Sequence, residues 1–341
     1  MKRVAVTGGG GRLGNVLVRQ LRGRGDRVRV LEPSEGIPKS LHGVDVELVR
    51  GSVLDPSDVA GLVADADLVF HLAAKVDLDR DRDGSIRAVN VEGTRNVAEA
   101  CLARGIRMVH CSSHHALELR PLDQPLDETK PLALETACDY HRTKAIGEQL
   151  VLDLVRSRGL DAVVVSPGTI VGPFDFEPSI LGRALLDLYH RRIPLLMQVV
   201  SDYVDVRDVA SGVLSAADKG RSGERYLLTG EVLELKAMVA IWGELTGVPM
   251  PKRVLPYWFG WAMLPFTLLA ARVSGKPALF TVNMLRSSVS NRVVSHAKAT
   301  RELGFEPRAT RAALGGALEF YRAAGWAGPM PATSAGVSEP T

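Results

Sequence analysis

Val4-Ala5-Val6-Thr7-Gly8-Gly9-Gly10-Gly11-Arg12-Leu13-Gly14 opens the chain and sets the frame for everything after it. A short apolar, β-branched run reads as a strand. Glycines follow at once, and then Leu13, Val16, Leu17 and Leu21 recur at helical spacing. Gly8, Gly11 and Gly14 stand three apart. In a strand–turn–helix unit, glycines at that spacing permit the tight turn, the approach of backbone to a pyrophosphate, and close packing of helix on strand. The phosphates then meet unpaired N–H groups at the helix N-terminus. Gly8, Gly11, Arg12, Leu13 and Gly14 are therefore the expected phosphate-binding residues. Residues 1–7 are too short an apolar stretch, and too soon broken by glycine, for a secretory signal.

Outward from this unit the pattern repeats. Val28–Leu31, Val44–Val49, Asp67–Leu72, Met108–Ser112 and Ala162–Ser166 read as strands. Helical periodicity separates them near Pro56–Val63, Gly84–Arg104 and Asp139–Arg158. Strands alternating with crossover helices predict an α/β fold, a Rossmann doubly wound parallel sheet over residues 1–166. After Pro167 the alternation loosens. Helices are expected at Ser179–Arg191, Val206–Asp218, Leu235–Thr246, Ser295–Leu303 and Thr310–Ala324, giving a smaller, mostly helical substrate lobe over 167–327. Short strands near Tyr203–Val206 and Arg225–Leu228 are expected to complete the first domain's sheet. The Pro-, Gly-, Ser- and Thr-rich tail 328–341 is expected to be disordered.

The 341 residues are 46% hydrophobic and 24% charged, a balance that supports a sizeable core. The net charge of +3 includes no long basic run, so nothing points to nucleic acid. Cys101, Cys111 and Cys138 have no metal-ligand spacing, and their odd number fits a reducing, cytoplasmic compartment. No metal site is expected. Leu255–Ala271, LPYWFGWAMLPFTLLAA, is as apolar as a short membrane helix, but Pro256 and Pro265 interrupt it. It also falls short of the roughly 20 residues that span a bilayer. It reads first as a buried or pocket-lining helix, and second as a peripheral membrane contact.

Glu32 ends the second strand about 20 residues past the loop, where a carboxylate accepts hydrogen bonds from the adenosine ribose and repels a 2′-phosphate. This favours NAD(H) over NADP(H), although Arg12 and Arg29 lie near in sequence and could receive a phosphate. Asp139-Tyr140-His141-Arg142-Thr143-Lys144 opens a helix, so Tyr140 and Lys144 share one face. A phenol titrates near pH 10, and a neighbouring ammonium and the positive nicotinamide ring would lower that value and make Tyr140 a usable proton carrier. Ser112 and Ser113 end the fifth strand, at the edge where open α/β sheets place their sites. Ser113, with Ser112 as second choice, would hold the substrate oxygen.

TGGGGRLG (7–14), HLAA (71–74), NVEGT (90–94), CSS (111–113), YHRTK (140–144), SPGTIVGP (166–173) and YVDVRDVA (203–210) together resemble the extended short-chain dehydrogenase/reductase, or NAD-dependent epimerase/dehydratase, family. VDVRDVASG (204–212), GERYLLTGE (223–231) and AKATRELGFEPR (297–308) look like its dihydroflavonol-reductase-like and hopanoid-associated epimerase-like branch. The resemblance implies that Leu72, Ala73 and Ala74 line the dinucleotide cleft, and that Asn90 lies on the helix behind the site. It implies a catalytic set of Ser113, Tyr140 and Lys144, with Pro167 and Gly168 bordering the nicotinamide. It also implies a homodimer, joined through the tyrosine helix and the long helix before it.

Departures from the family pattern narrow the chemistry. Gly51-Ser52 stands where many relatives carry Gly-Asp, so the adenine contact weakens or passes to Ser52 and the Val53 backbone. His114-His115 replace the acid pair of sugar dehydratases, which disfavours elimination of water. Ala116-Leu117-Glu118-Leu119 replaces the Val-Tyr-Gly of sugar epimerases, and Ser166 replaces a common arginine. His114, His115 and Ile170 are candidates for substrate contact. The first reading is a ketone/alcohol oxidoreductase acting on a small, fairly apolar molecule. A nucleotide-sugar epimerase would instead gather arginines such as Arg183, Arg191, Arg192 or Arg221 on a diphosphate. A dinucleotide-binding regulator without catalysis is the third.

Overall fold

The computed structural model describes residues 1–76, 81, 83–274, 281–282, 285 and 290–328. Beyond Gly328, the tail expected to be disordered lies outside the described residues. The strands are β1 (Arg3–Thr7), β2 (Arg27–Glu32), β3 (Glu47–Arg50), β4 (Leu68–His71), β5 (Arg107–Cys111), β6 (Ala162–Pro167), β7 (Thr169–Val171), β8 (Leu196–Met197), β9 (Val200–Asp205), β10 (Arg225–Leu228), β11 (Glu231–Glu234) and β12 (Val254–Leu255). The helices are α1 (Arg12–Gly23), α2 (Pro56–Leu62), α3, α4 (Asp139–Arg158), α5 (Ile180–Tyr189), α6 (Val206–Lys219), α7 (Leu235–Thr246), α8 (Tyr257–Ser274), α9 (Ala297–Leu303) and α10 (Thr310–Ala323). α3 joins Ser85–Arg87 to Thr94–Arg104 through a π-helical turn, Ala88–Gly93.

Seven parallel strands run in the order β10-β6-β5-β4-β1-β2-β3. Their residues explain that arrangement. Every residue of β4 and β6 is buried, as it must be when helices cover both faces of a parallel sheet. Alternate side chains feed the two faces: Val4 and Val6 of β1 pack with α1, α6 and α9, whereas Ala5 packs with α2, α3 and α4. The strand order reverses between β1 and β4, and open sheets of this kind bind ligands in the crevice outside the strand C-termini at that point.

Two strand expectations need correction. The third strand begins at Glu47, not Val44. Of the pair expected to complete the large sheet, only β10 does so, beside β6. β9 pairs antiparallel with β11 and parallel with β7 in a separate three-stranded sheet, because the free edge of β6 is already taken by β10. Trp242, Tyr321, Leu185, Leu188 and Leu314 form the core beside this smaller sheet.

The apolar segment is a helix whose Tyr257 and Trp261 line a cavity, in keeping with its first reading. Pro256 precedes the first turn, Pro265 is carried inside the helix, and α8 continues to Ser274. Its outer face is open: Trp258 and Phe266 are 65% and 64% exposed. No described helix is long and apolar enough to cross a membrane.

Candidate active site

The glycine loop is built around close approaches. Gly8 has φ +70°, and a Cβ there would lie 2.6 Å from the Ala73 nitrogen. At Gly14 a Cβ would lie 2.0 Å from the Gly8 carbonyl oxygen. The loop leaving β1 thus packs directly on the Leu72–Ala73 backbone that leaves β4. α1 starts at Arg12 behind Gly11, and no side chain caps it, so its first N–H groups stay available to an anion. Glu32 closes β2 next to the loop: a Cβ at Gly10 would lie 3.1 Å from Glu32 Oε2, and Glu32 Oε1 accepts the Ser34 hydroxyl at 2.6 Å. A glycine cradle that any Cβ would fill, an uncapped helix start and a carboxylate at the end of β2 together fit a dinucleotide.

The two nearby arginines do not face a ribose phosphate. Arg29 is held by Glu47 at 3.0 Å and Asp65 at 2.7 Å, near the opposite end of the sheet. Arg12 reaches the second lobe, donating to Ser179 Oγ at 2.7 Å and lying 3.7 Å from the buried Asp175. Around the adenine end, the Ser52 N–H donates to Asp58 at 2.9 Å, its hydroxyl accepts the Leu54 N–H at 3.1 Å, and the Val53 carbonyl accepts from Asn96. Ser52 and Val53 are therefore largely engaged within their own turn and its neighbouring helix. Past Ala74, Asn90 ties the strand exit to the tyrosine helix. It accepts the Lys75 N–H at 2.8 Å and donates to the Lys75 carbonyl and to Thr143 Oγ1, both at 3.1 Å.

β5 and α4 bring Ser113, Tyr140 and Lys144 together. The Ser113 side chain hydrogen-bonds the Tyr140 hydroxyl and also accepts the His115 N–H at 3.2 Å. Ser112 is turned away: its hydroxyl donates to the fully buried Glu148 at 2.5 Å, so the choice between the two serines falls to Ser113. Lys144 Nζ donates to the Cys111 carbonyl. Burial pushes the Tyr140 phenol above its ordinary range, and the Ser113 hydrogen bond offsets this only in part. Burial also lowers Lys144, against the pull of Cys111 and Glu148. Desolvation leads the shift of the phenol, and the Lys144 ammonium is directed to a backbone carbonyl.

The two histidines take different roles. His114 is buried between the Pro167 carbonyl, 3.1 Å from Nδ1, and Asp202, 3.6 Å from Nε2. A carbonyl only accepts, so Nδ1 carries a hydrogen, and the contact with Asp202 is favourable only when a further proton sits between imidazole and carboxyl. Neither Asp202 oxygen receives a hydrogen bond from a described residue. Asp202 fits there because residue 168 is glycine, where a Cβ would lie 1.5 Å from Asp202 Oδ2. His115 instead stacks on His141 with ring centroids 4.5 Å apart. Burial holds both neutral, bringing His141 down to about 4 and His115 well below its usual value.

His115 and His141 line a cavity of about 580 Å³ together with Leu117, Leu119, Leu122 and Ala133, the polar Glu118, Arg120, Glu135 and Thr136, and Tyr257 and Trp261 of α8. Ile170 does not line it; it pairs with Val204 in the smaller sheet and packs against the core. None of Arg183, Arg191, Arg192 and Arg221 lines it either, and Arg221 pairs with Glu302 and Glu224. A separate hollow of about 260 Å³ lies at the amino-terminal edge of β1 and β2, far from Tyr140, and its Arg3, Arg29, Glu47 and Asp65 pair with one another.

Sequence reasoning missed Glu148, His141 and Asp202. Glu148 follows Tyr140 and Lys144 at the same four-residue step, and that spacing could have found it. Asp202 sits immediately before the YVDVRDVA stretch and carries no local signal. Nothing in the structure explains Ser166, whose buried hydroxyl has no described partner.

The model of the NAD dependent epimerase/dehydratase family matches residues 4–229. The chain belongs to that family. Across 94% of its length it is 36% identical to sterol demethylase protein B of Methylococcus capsulatus, covering 98% of that protein. A putative dihydroflavonol 4-reductase of Synechocystis is 31% identical over 94% of this chain and 95% of its own. Among solved structures, that of gox2253 superposes with a TM-score of 0.84 at 32% identity, covering 96% of this chain and 99% of the other. As an epimerase/dehydratase family member of the extended short-chain type, with relatives named as reductases, the chain is an NAD(P)-dependent oxidoreductase.

Proposed function

We propose that this family member interconverts a ketone and a secondary alcohol on an apolar substrate, with Tyr140 as proton donor and acceptor. The observation that carries the reading is the Ser113–Tyr140 hydroxyl pair, whose tyrosine ring meets His141, one of two neutral imidazoles lining a cavity together with Leu117, Leu119, Leu122 and Trp261. A bound nicotinamide supplies or takes the hydride. In reduction, Tyr140 gives its hydroxyl proton to the carbonyl oxygen as the carbonyl carbon receives the hydride; oxidation runs the same transfers backwards. Ser113, already bonded to the phenol, holds the substrate oxygen in line. Lys144 sits one turn below on the same helix face, anchored to Cys111, and supports the nicotinamide ribose. The acid pair that would drive elimination of water is replaced by His114 and His115, and His114 is committed to Pro167 and Asp202.

The testing experiment is NADH consumption against a panel of apolar ketones and of UDP-sugars. Turnover with the ketones and none with the sugars is expected. Sugar epimerisation without net NADH consumption would overturn the reading.

We further propose that Glu32 selects NAD(H). It faces the glycine loop, while Arg12 and Arg29 are held elsewhere by carboxylates. A fluorescence titration should find NADH tighter than NADPH, and Glu32→Ala should narrow the gap about tenfold, the size of one lost charge–charge repulsion at a partly exposed site. Tighter NADPH binding in the wild-type protein would remove Glu32 from this role.

A further inference from the structure

We propose that α8 rests its outer face on an anionic lipid bilayer, and that the substrate reaches the cavity from that bilayer, past the inner face of the same helix. The second half of this statement rests on the ketone/alcohol reading above; the docking itself does not.

Trp258, Ala262, Phe266 and Leu269 follow one another at steps of three and four and are exposed, with Pro265 exposed beside Phe266, so they form a single apolar stripe. Leu268 widens it. The opposite face is committed to protein: a Cβ on Gly260 would lie 2.7 Å from the Leu285 side chain, the Tyr257 hydroxyl donates to the Leu285 carbonyl at 2.7 Å, and Tyr257 and Trp261 roof the cavity over His115. An adjoining cavity of about 640 Å³ shares Arg120, Leu122 and Tyr257 with the first and extends to Arg292. One helix therefore separates an exposed apolar surface from the cavity over His115 and His141.

Charge decides what covers that surface. Between Glu244 and Glu302 the sequence has eight lysines and arginines and no aspartate or glutamate. Lys252, Arg253, Arg272 and Arg292 are exposed, and none forms an ion pair with a described residue. Lipid phosphates would satisfy them, and a tryptophan, a phenylalanine and leucines on a helix bordered by basic residues suit the headgroup boundary. A second copy suits this face poorly. Two-fold pairing would set the same acid-free, cationic segment against itself.

The test uses the full chain in co-sedimentation with phosphatidylcholine vesicles, with and without phosphatidylglycerol. The wild-type protein should partition onto the anionic vesicles and be released by salt. Trp258→Glu/Phe266→Glu should weaken partition by at least about tenfold, and Lys252→Glu/Arg253→Glu should weaken it specifically on anionic vesicles. Both variants should keep the wild-type melting temperature and NADH affinity. Absence of wild-type partition, or variants that bind as wild type does, would overturn the proposal. So would a Trp258→Glu/Phe266→Glu variant whose only change is conversion of a dimer to a monomer. Vesicle binding by a protein inactive on every ketone supports the docking face and defeats the ketone reading. Ketone turnover without vesicle binding does the reverse.

Discussion

Tyr140→Phe should lower kcat by about 100- to 10 000-fold, the range spanned by a positioned acid–base group, and leave NADH affinity near the wild-type value. The substitution removes one oxygen, which is hydrogen-bonded to Ser113, on a ring that meets the cavity-lining His141. The glycine loop and Glu32 are untouched, and that is why binding should survive. Steady-state turnover and fluorescence titration measure the two effects separately, and comparable turnover in the variant would exclude Tyr140 as the proton carrier. The pH dependence has a definite sign. Burial raises the phenol above its ordinary value near 10, so the hydroxyl keeps its proton throughout the neutral range. Ketone reduction should therefore not lose its proton donor as pH rises from about 6 to about 9. Alcohol oxidation, which needs the phenolate, should accelerate with rising pH over the same interval.

Glu148→Ala should cost about 3–5 kcal/mol of stability, the usual consequence of stranding one member of a buried ion pair. Glu148 is fully buried, accepts the Ser112 hydroxyl, and pairs with Arg225, whose side chain is itself largely enclosed. Arg225 also donates to the Glu128 carbonyl at 3.1 Å, so the pair clamps α4 to β5 and β10 at once. Without the carboxylate, a guanidinium remains in the interior with only carbonyl partners. Chemical denaturation measures the loss, and a change under about 1 kcal/mol would mean that water reaches the arginine freely. Replacing both residues by leucine should recover a substantial part of the stability, because the cost lies in the unpaired charge. The single variant should also shift Lys144, which Glu148 helps keep protonated from one turn away.

The large sheet was legible because its determinants are local: β-branched runs, glycine at the turn, and helical spacing between strands. α4 and α7 begin and end at the residues that periodicity indicates. β9 was misassigned because its pairing depends on which sheet edge remains open, and no residue within it encodes that. The same division holds at the site. Tyr140, Lys144 and Ser113 announce themselves through spacing and position on a strand or helix. Asp202 reaches His114 across 88 residues of chain, through a gap left by the missing side chain at Gly168. α8 lines a cavity as its composition suggests, and only its open face was not legible. Its composition describes an apolar helix correctly, but which face stays outside is settled only by what packs against the other.

The π-helical turn at Ala88–Gly93 has a consequence for engineering. It amounts to one surplus residue in α3, and through it Asn90 reaches both Lys75 and Thr143 while Gly147 packs against the Asn90 carbonyl. Deleting that residue would regularise the helix and look like an easy gain in thermal tolerance. It would also rotate every side chain on one flank by about 100°, a single step of the helical wheel. The brace between the exit of β4 and the tyrosine helix would then point elsewhere. The irregularity works as a phase adjuster between two helical faces that must each meet a different neighbour, and a sturdier, smoother helix would leave Tyr140 less firmly aimed.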